Sequence, residues 1–156
     1  MGAGTFSKYR TNSDKEKGGV RLETSGGTFI VRRKGSSNKP YMRALNRLFR
    51  PWRRALATGQ MDYEKREELE LVAFIDHILV GWEDDVSWPV KEDGSFCTLE
   101  EARALPEGDI EERSLPFNKA NARMVLSVTD LFEEIDFGAS SPETFRSFER
   151  EQDSGN

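Results

Sequence analysis

With 156 residues, of which 36% are hydrophobic and 33% charged, the chain has material for one domain with polar tails and too little for two cores. Its one cysteine, Cys97, and one histidine, His77, exclude an internal disulfide and a Cys/His zinc framework. The net charge of −5 is unevenly laid out: Thr24 to Met61 holds nine basic residues and no acid, whereas Asp62 to Asn156 holds 25 acids against nine bases. Segregation on that scale bears on what the protein associates with.

Residues 1–18 read as a flexible N-terminal tail, with little apolar content except Phe6 and Tyr9 and without the apolar segment of a secretory signal. A single domain is expected over 19–150, followed by a second flexible tail over 151–156. Its first element is a β-hairpin over 19–33: Val20 and Leu22, then Phe29 and Val31, alternate as in half-buried strands around Thr24-Ser25-Gly26-Gly27. A loop, Ser36-Ser37-Asn38-Lys39-Pro40, leads into a helix with Leu45, Leu48, Phe49, Trp52, Ala55 and Leu56 as its apolar stripe. Arg43, Arg47, Arg50 and Arg54, spaced four, three and four apart, form a basic stripe beside it. Pro51 removes a donor and crowds the turn before it, which predicts a break near Arg50. Thr58-Gly59-Gln60 ends the element.

The next helix opens with Asp62, Glu64, Glu67 and Glu68, acids suited to the positive end of its dipole. Leu71, Val72, Ile75, Ile78 and Leu79 continue at helical spacing, so the helix is predicted to close at Gly81 in a left-handed conformation under a Trp82 lid. Residues 84–113 form an acidic insert, expected to be a solvated loop with a turn at Asp93-Gly94 and a short helix to about Leu105. That helix starts from a capping box, Thr98 with Glu101. Pro116 then keeps Leu115 extended, Asn118 is a good N-cap, and Ala120, Met124 and Val128 line one helical face. Thr129-Asp130 offers a further cap, Gly138 a stop, and Pro142 the first turn of a last helix carrying Phe145 and Phe148. The fold class expected is mainly α: a helical core over 40–150 with a small N-terminal β-hairpin.

Sites of chemistry are not written in the chain. Gly18-Gly19 and Gly26-Gly27 lack the lysine and the strand-to-helix setting of a phosphate loop, and no G-x-S-x-G or H-E-x-x-H occurs. The insert is rich in carboxylates but has no calcium-loop spacing. The reading is therefore a non-enzymatic protein with no catalytic, cofactor or metal site, Cys97 being a free thiol and His77 a residue at the core's edge. No run approaches the ~18 apolar residues of a membrane span, so no membrane partner is expected and the location expected is the host cytoplasm.

One arrangement is more specific. A helix ending in Gly81-Trp82, then Pro116-Phe117, an Asn118-capped helix with Met124-Val125-Leu126, and a terminal phenylalanine-bearing helix resembles the tail assembly chaperones of long-tailed, siphovirus-type bacteriophages. The resemblance runs from Val31 to Phe148 and is clearest at Gly81, Trp82, Pro116, Phe117, Asn118 and Ala122; the acidic insert from Pro89 to Arg113 departs from it. It implies a factor that binds the phage tape-measure protein and tail-tube subunits during tail morphogenesis, self-associates, and leaves before the particle is finished. Trp82 and Phe117 are the partner-binding candidates at the bracket, with Arg43, Arg47, Arg50 and Arg54 as a charged rim. Each aromatic also reads as plain core, Trp82 more so than Phe117, and the arginines as partners of the acidic helix that follows them. Two alternatives stand beside the chaperone: a virion structural protein, such as a head-tail connector or tail-completion protein, and a nucleic-acid-binding regulator acting through the arginine stripe. Nucleic acid is disfavoured because no aromatic platform flanks those arginines.

Overall fold

The computed structural model describes residues 4, 6–7, 10–108 and 110–146. Its architecture is α+β, which corrects the mainly-α expectation: about 51% of the structure is helical and 17% is strand. The excess strand comes from two places read otherwise in the sequence, the segment Leu79–Trp82 and the acidic insert.

The hairpin forms from β1 (Val20–Thr24) and β2 (Gly27–Val31), paired antiparallel from Val20 opposite Val31 to Thr24 opposite Gly27. Phe29 and Val31 are wholly buried. β2 is the centre of a three-stranded sheet whose third member, β3, is Leu79–Trp82. Phe29 stands opposite Trp82, Ile30 opposite Gly81 and Val31 opposite Leu79, with an irregularity between Ile30 and Val31. The predicted helix over this stretch is thus wrong, and Gly81 is not among the glycines with positive φ. The cause is non-local. A buried central strand needs partners along both edges, since each unsatisfied backbone group costs ~1–3 kcal/mol. The preceding helix therefore stops at His77, the Arg32 amide donates to the Ile78 carbonyl at 2.7 Å, and the chain turns extended.

Ahead of the sheet, α1 (Ser13–Gly18) is capped by the Asn12 side chain, and the Asn12 amide donates to the Phe145 carbonyl at 2.8 Å. Residues 10–18 of the expected N-terminal tail are therefore built into the fold. After the sheet, α2 (Lys39–Phe49) is capped by Asn38, and Pro51 sits in the 3-10 turn Arg50–Trp52 that separates it from α3 (Arg53–Ala57). The face of α2 that reaches the core is Tyr41 and Ala44, with Leu45 and Leu48 half-buried. The far end of the predicted stripe leaves the core at that break, and Leu56 is 40% exposed.

α4 (Tyr63–His77) begins at the Asp62 cap, packs on α2, and buries Leu69, Ala73, Phe74 and Ile75. It also packs on α6 (Lys119–Leu126), where Asn118 accepts the Asn121 amide at 2.7 Å. The buried face of α6 is Ala122, Val125 and Leu126; Ala120, predicted for that face, is exposed. α7 (Thr129–Ser140) then lies on β1. Its N-cap is Val128, without a side-chain bond, so Thr129-Asp130 does not serve as the cap. Gly138, expected as a stop, lies inside α7 because Leu22 packs where its side chain would be: a Cβ there would meet Leu22 Cδ2 at 2.5 Å. The 3-10 turn Pro142–Phe145 ends with a fully buried Phe145; Phe148 lies outside the described residues.

The insert is a built element and not the solvated loop expected. β4 (Ser87–Pro89) pairs with β5 (Glu112–Ser114), Val90 bridges Phe96, and α5 (Leu99–Arg103) starts from the Thr98/Glu101 capping box. Trp88 is buried and its Nε1 donates to the Cys97 carbonyl at 3.0 Å. Burying one indole worth several kcal/mol by area is enough to organise a short polar segment around it.

Candidate interaction surface

Sheet and insert meet at Trp82. Placed by β3 opposite Phe29, its ring is edge-on to Phe29 at 5.8 Å and edge-on to Phe117 at 4.9 Å. Its Nε1 donates to the Leu115 carbonyl at 2.6 Å, and the Leu115 amide donates to the Val86 carbonyl at 2.9 Å. Asn121 closes the other side by donating its side-chain amide to the Pro116 carbonyl at 2.8 Å. Leu115-Pro116-Phe117 is thus pinned between a strand and a helix cap. Trp82 is half-buried while Phe117 keeps 37% of its surface in solvent, so the outer ring of the stack is the one a partner can reach. Such edge-to-face pairs contribute ~0.5–1.5 kcal/mol beyond area burial, enough to hold Phe117 in place.

Next to the Trp82 turn, Thr28 donates to Asp85 twice, from its amide at 2.9 Å and from its hydroxyl at 2.7 Å. These bonds, the backbone one foremost, hold the Asp85 carboxyl below its usual range. Arg21 grips Glu83 in a two-pronged ion pair at 2.5 and 2.9 Å, which raises the guanidinium's pKa and lowers the carboxyl's. Both tie the turn after β3 to the hairpin.

The arginines form a separate face. Arg43 and Arg47 on α2, Arg50 in the 3-10 turn and Arg54 on α3 are all exposed, as are Lys39 and Arg53 beside them. None of these six cations forms an ion pair with a carboxylate among the described residues. Of the α4 acids, three are engaged elsewhere, Glu68 with Lys65 and Arg123, Glu70 with Arg66, and Asp76 with Lys119, and none reaches the arginines. The face therefore carries uncompensated like charges at helical spacing, each pair costing ~0.2–0.5 kcal/mol. No hydrogen bond, ion pair or ring contact joins it to Trp82 or Phe117; the six predicted residues fall into two sets. Near the face, burial first and then Arg47, Lys119 and Arg32 hold the His77 pKa below its ordinary value, against the opposing pull of Asp76.

Sequence reasoning missed two features. Lys65 stands over the Trp52 ring at 5.6 Å, tying α4 to the arginine-bearing segment. A groove of about 660 Å³ lies between α4, α6 and α7, lined by Leu71, Leu126 and Phe132 and by charges of both signs, Glu64, Glu67 and Glu133 with Arg66 and Arg123. The acids at 64, 67 and 68 were visible as helix-start acids; that α6 and α7 would close a groove over them was not. Among the described residues no group of three or more His, Cys, Asp or Glu side chains is placed to hold a metal, and no helix is long and apolar enough to cross a membrane. Cys97 is buried.

These elements define a small α+β protein that displays one aromatic edge and one face of uncompensated arginines. Its origin is phage: the family model described as YdaY prophage protein matches residues 36–156, and the chain belongs to that family. The match starts in the loop before α2 and leaves the β1–β2 hairpin ahead of it. No curated protein and no solved structure matched the chain.

Proposed function

We propose that this phage-derived protein is a non-enzymatic tail assembly chaperone, which binds the tape-measure protein and tail-tube subunits in the host cytoplasm while the tail is built. The observation that carries the reading is the exposed arginine face without carboxylate partners. A chain with a net charge of −5 that concentrates cations on one broken helix, and leaves them unpaired against its own acids, is suited to an acidic client. Phe117, held by Trp82 at the rim of the sheet, supplies an apolar contact on a surface separate from the charged one. A long helical client exposes amphipathic stripes before it is enclosed, and contacts of this kind cover them reversibly.

The test is co-expression with the tape-measure protein of the same phage. Wild type keeps that protein in the soluble fraction; Arg43→Glu/Arg47→Glu/Arg50→Glu/Arg54→Glu loses it, and Phe117→Ala weakens capture while the chain stays folded, its melting temperature lowered by the lost ring contact with Trp82, ~0.5–1.5 kcal/mol, and by the area the ring covers. Full activity of the quadruple variant refutes the reading. So does stoichiometric recovery of the chain from mature virions, which instead marks a structural component of the particle.

A further inference from the structure

A recess of about 340 Å³ lies where α1, the residues after β2 and the loop into α2 meet, with His77, the last residue of α4, completing its lining. Four of the lining residues are basic and one is acidic: Lys17, Arg32, Arg33 and Lys39 against Glu16. The acid is spent within the wall, because Glu16 accepts from Arg33 Nη1 at 2.5 Å and from the Thr11 hydroxyl. That leaves Lys17, Arg32 and Lys39, none of which forms an ion pair among the described residues. The walls are fixed by bonds that leave these cationic tips unused. Arg32 Nε donates to the Lys17 carbonyl at 2.8 Å while its terminal nitrogens are unbonded among the described residues. Asn38 Nδ2 donates to the Arg33 carbonyl at 3.0 Å and to the His77 carbonyl at 3.4 Å, which knits the three segments together. The backbone of α2 contributes little, since Pro40 has no amide hydrogen and the Tyr41 amide is held by Asn38 at 3.2 Å. Gathering three like charges around one recess costs free energy that a bound anion returns.

We infer that this recess binds a small phosphate monoester, its phosphate dianion seated among Lys17, Arg32 and Lys39 and its organic group lying over Pro40 and the His77 ring. Charge selects the phosphate. A carboxylate offsets one of the three cations and a dianion two, while a guanidinium with both terminal nitrogens free matches phosphate oxygens in a two-pronged contact. The exposed Ser37 hydroxyl adds a neutral donor to the lining. Size selects the monoester: about 340 Å³ exceeds what a phosphate group fills alone and lies at the small end of small-molecule sites. Shape disfavours a nucleic-acid backbone, which is tracked by cations strung along a surface and not by cations converging on a recess. The site straddles the start of the YdaY match at residue 36: Lys17 and Arg32 precede it, and Ser37, Lys39 and His77 lie within it. The part of the chain ahead of the family segment thus completes the site, which does not depend on the identity of any protein client.

The test is proton NMR of the full chain, in which His77 is the one histidine and its ring signals report on the recess without ambiguity. In the free protein its pKa is held below the ordinary value by burial first, then by Arg47 of α2, Lys119 of α6 and Arg32, against Asp76 beside it. At constant ionic strength set with sodium chloride, AMP shifts the His77 signals saturably, with a half-point of ~1 mM or below. It also raises the His77 pKa, because a dianion near the ring favours the imidazolium. Adenosine shifts nothing, and inorganic phosphate binds more weakly than AMP. Lys17→Gln/Lys39→Gln, a change at two exposed side chains, weakens AMP binding on the order of ten-fold or more, and Arg32→Gln does the same. Arg103→Gln/Arg113→Gln removes two cations from the insert and binds as wild type does. Absence of a saturable AMP shift overturns the inference, including the case in which only duplex DNA moves the signals. So does adenosine acting as AMP does, inorganic phosphate binding as tightly as AMP, a His77 pKa unmoved by AMP, or equal weakening in the insert variant. If Arg32→Gln lacks the wild-type circular dichroism, the lysine pair decides alone, and wild-type affinity in that pair overturns the inference as well.

Discussion

Replacing Gly81 with alanine separates a strand from a helix cap at the point where sequence pattern and structure disagree most. At a left-handed C-cap, a Cβ costs ~1–2 kcal/mol. In β3, Gly81 has no positive φ, and a Cβ built there meets no atom within 4 Å. Alanine then acts mainly by restricting the unfolded chain, a gain of ~0.4–1 kcal/mol. At ~2–4 °C per kcal/mol for a chain of this size, the melting temperature rises by about 1–4 °C. Gly27 provides the contrast, because it has φ +122° and a Cβ there meets Val86 Cγ2 at 2.8 Å and the Asp85 carbonyl at 3.1 Å. Backbone strain of ~1–3 kcal/mol and overpacking of similar size predict a loss of at least ~2 kcal/mol for Gly27→Ala. Urea titration followed by far-ultraviolet circular dichroism reads both. A Gly81→Ala midpoint that falls by the equivalent of 1 kcal/mol or more refutes the assignment of Leu79–Trp82 to the sheet.

Two further outcomes follow from contacts around the same sheet. Gly138→Ala is destabilising by ~1–2 kcal/mol despite alanine's better helix propensity, because its Cβ collides with Leu22; pairing it with Leu22→Ala recovers part of the loss, and additive effects in that double-mutant cycle count against the contact. Asp85 has its folded pKa lowered by Thr28, so the stability it contributes is full above the unfolded value of 3.8 and disappears as pH falls through the lower folded value. Asp85→Asn accordingly flattens the loss of urea resistance on the acid side of pH ~4, and a variant whose acid limb superimposes on wild type contradicts the Thr28 bonds.

Local signals in the sequence survived folding and non-local ones did not. Asn118 as a cap, Thr98 with Glu101 as a capping box, Pro51 as a break and Ser25-Gly26 at the hairpin turn each act within a few residues, and each stands where its chemistry placed it. Ile78 to Trp82 continued the apolar spacing of α4, yet the decision there belonged to β2, some fifty residues earlier, whose open edge outweighed helix continuation. Gly138 looked like a terminator because its reason for being glycine is Leu22, on another element. The insert looked solvated because acids outnumber apolar residues in it, while the buried Trp88 that organises it is a single position. For the candidate surface, the arginine spacing was readable from the sequence; that Glu68, Glu70 and Asp76 would be engaged by Lys65, Arg66, Lys119 and Arg123, and that α4 would leave the arginines open, was a matter of tertiary placement.

The seam at which Thr11 bridges Arg146 and the Asn12 amide reaches the Phe145 carbonyl has a consequence for the order of events on the ribosome. At ~5–20 residues per second, on the order of ten seconds separate the synthesis of its two sides. Over that interval β1 waits for α7 to cover it, so the newborn chain presents the apolar side of β1, Leu22 foremost, until α7 is made. Phe145 and Arg146 are the clasp on Thr11 and Asn12, and a nascent chain that stalls before Phe145 remains unlatched however complete the elements between are.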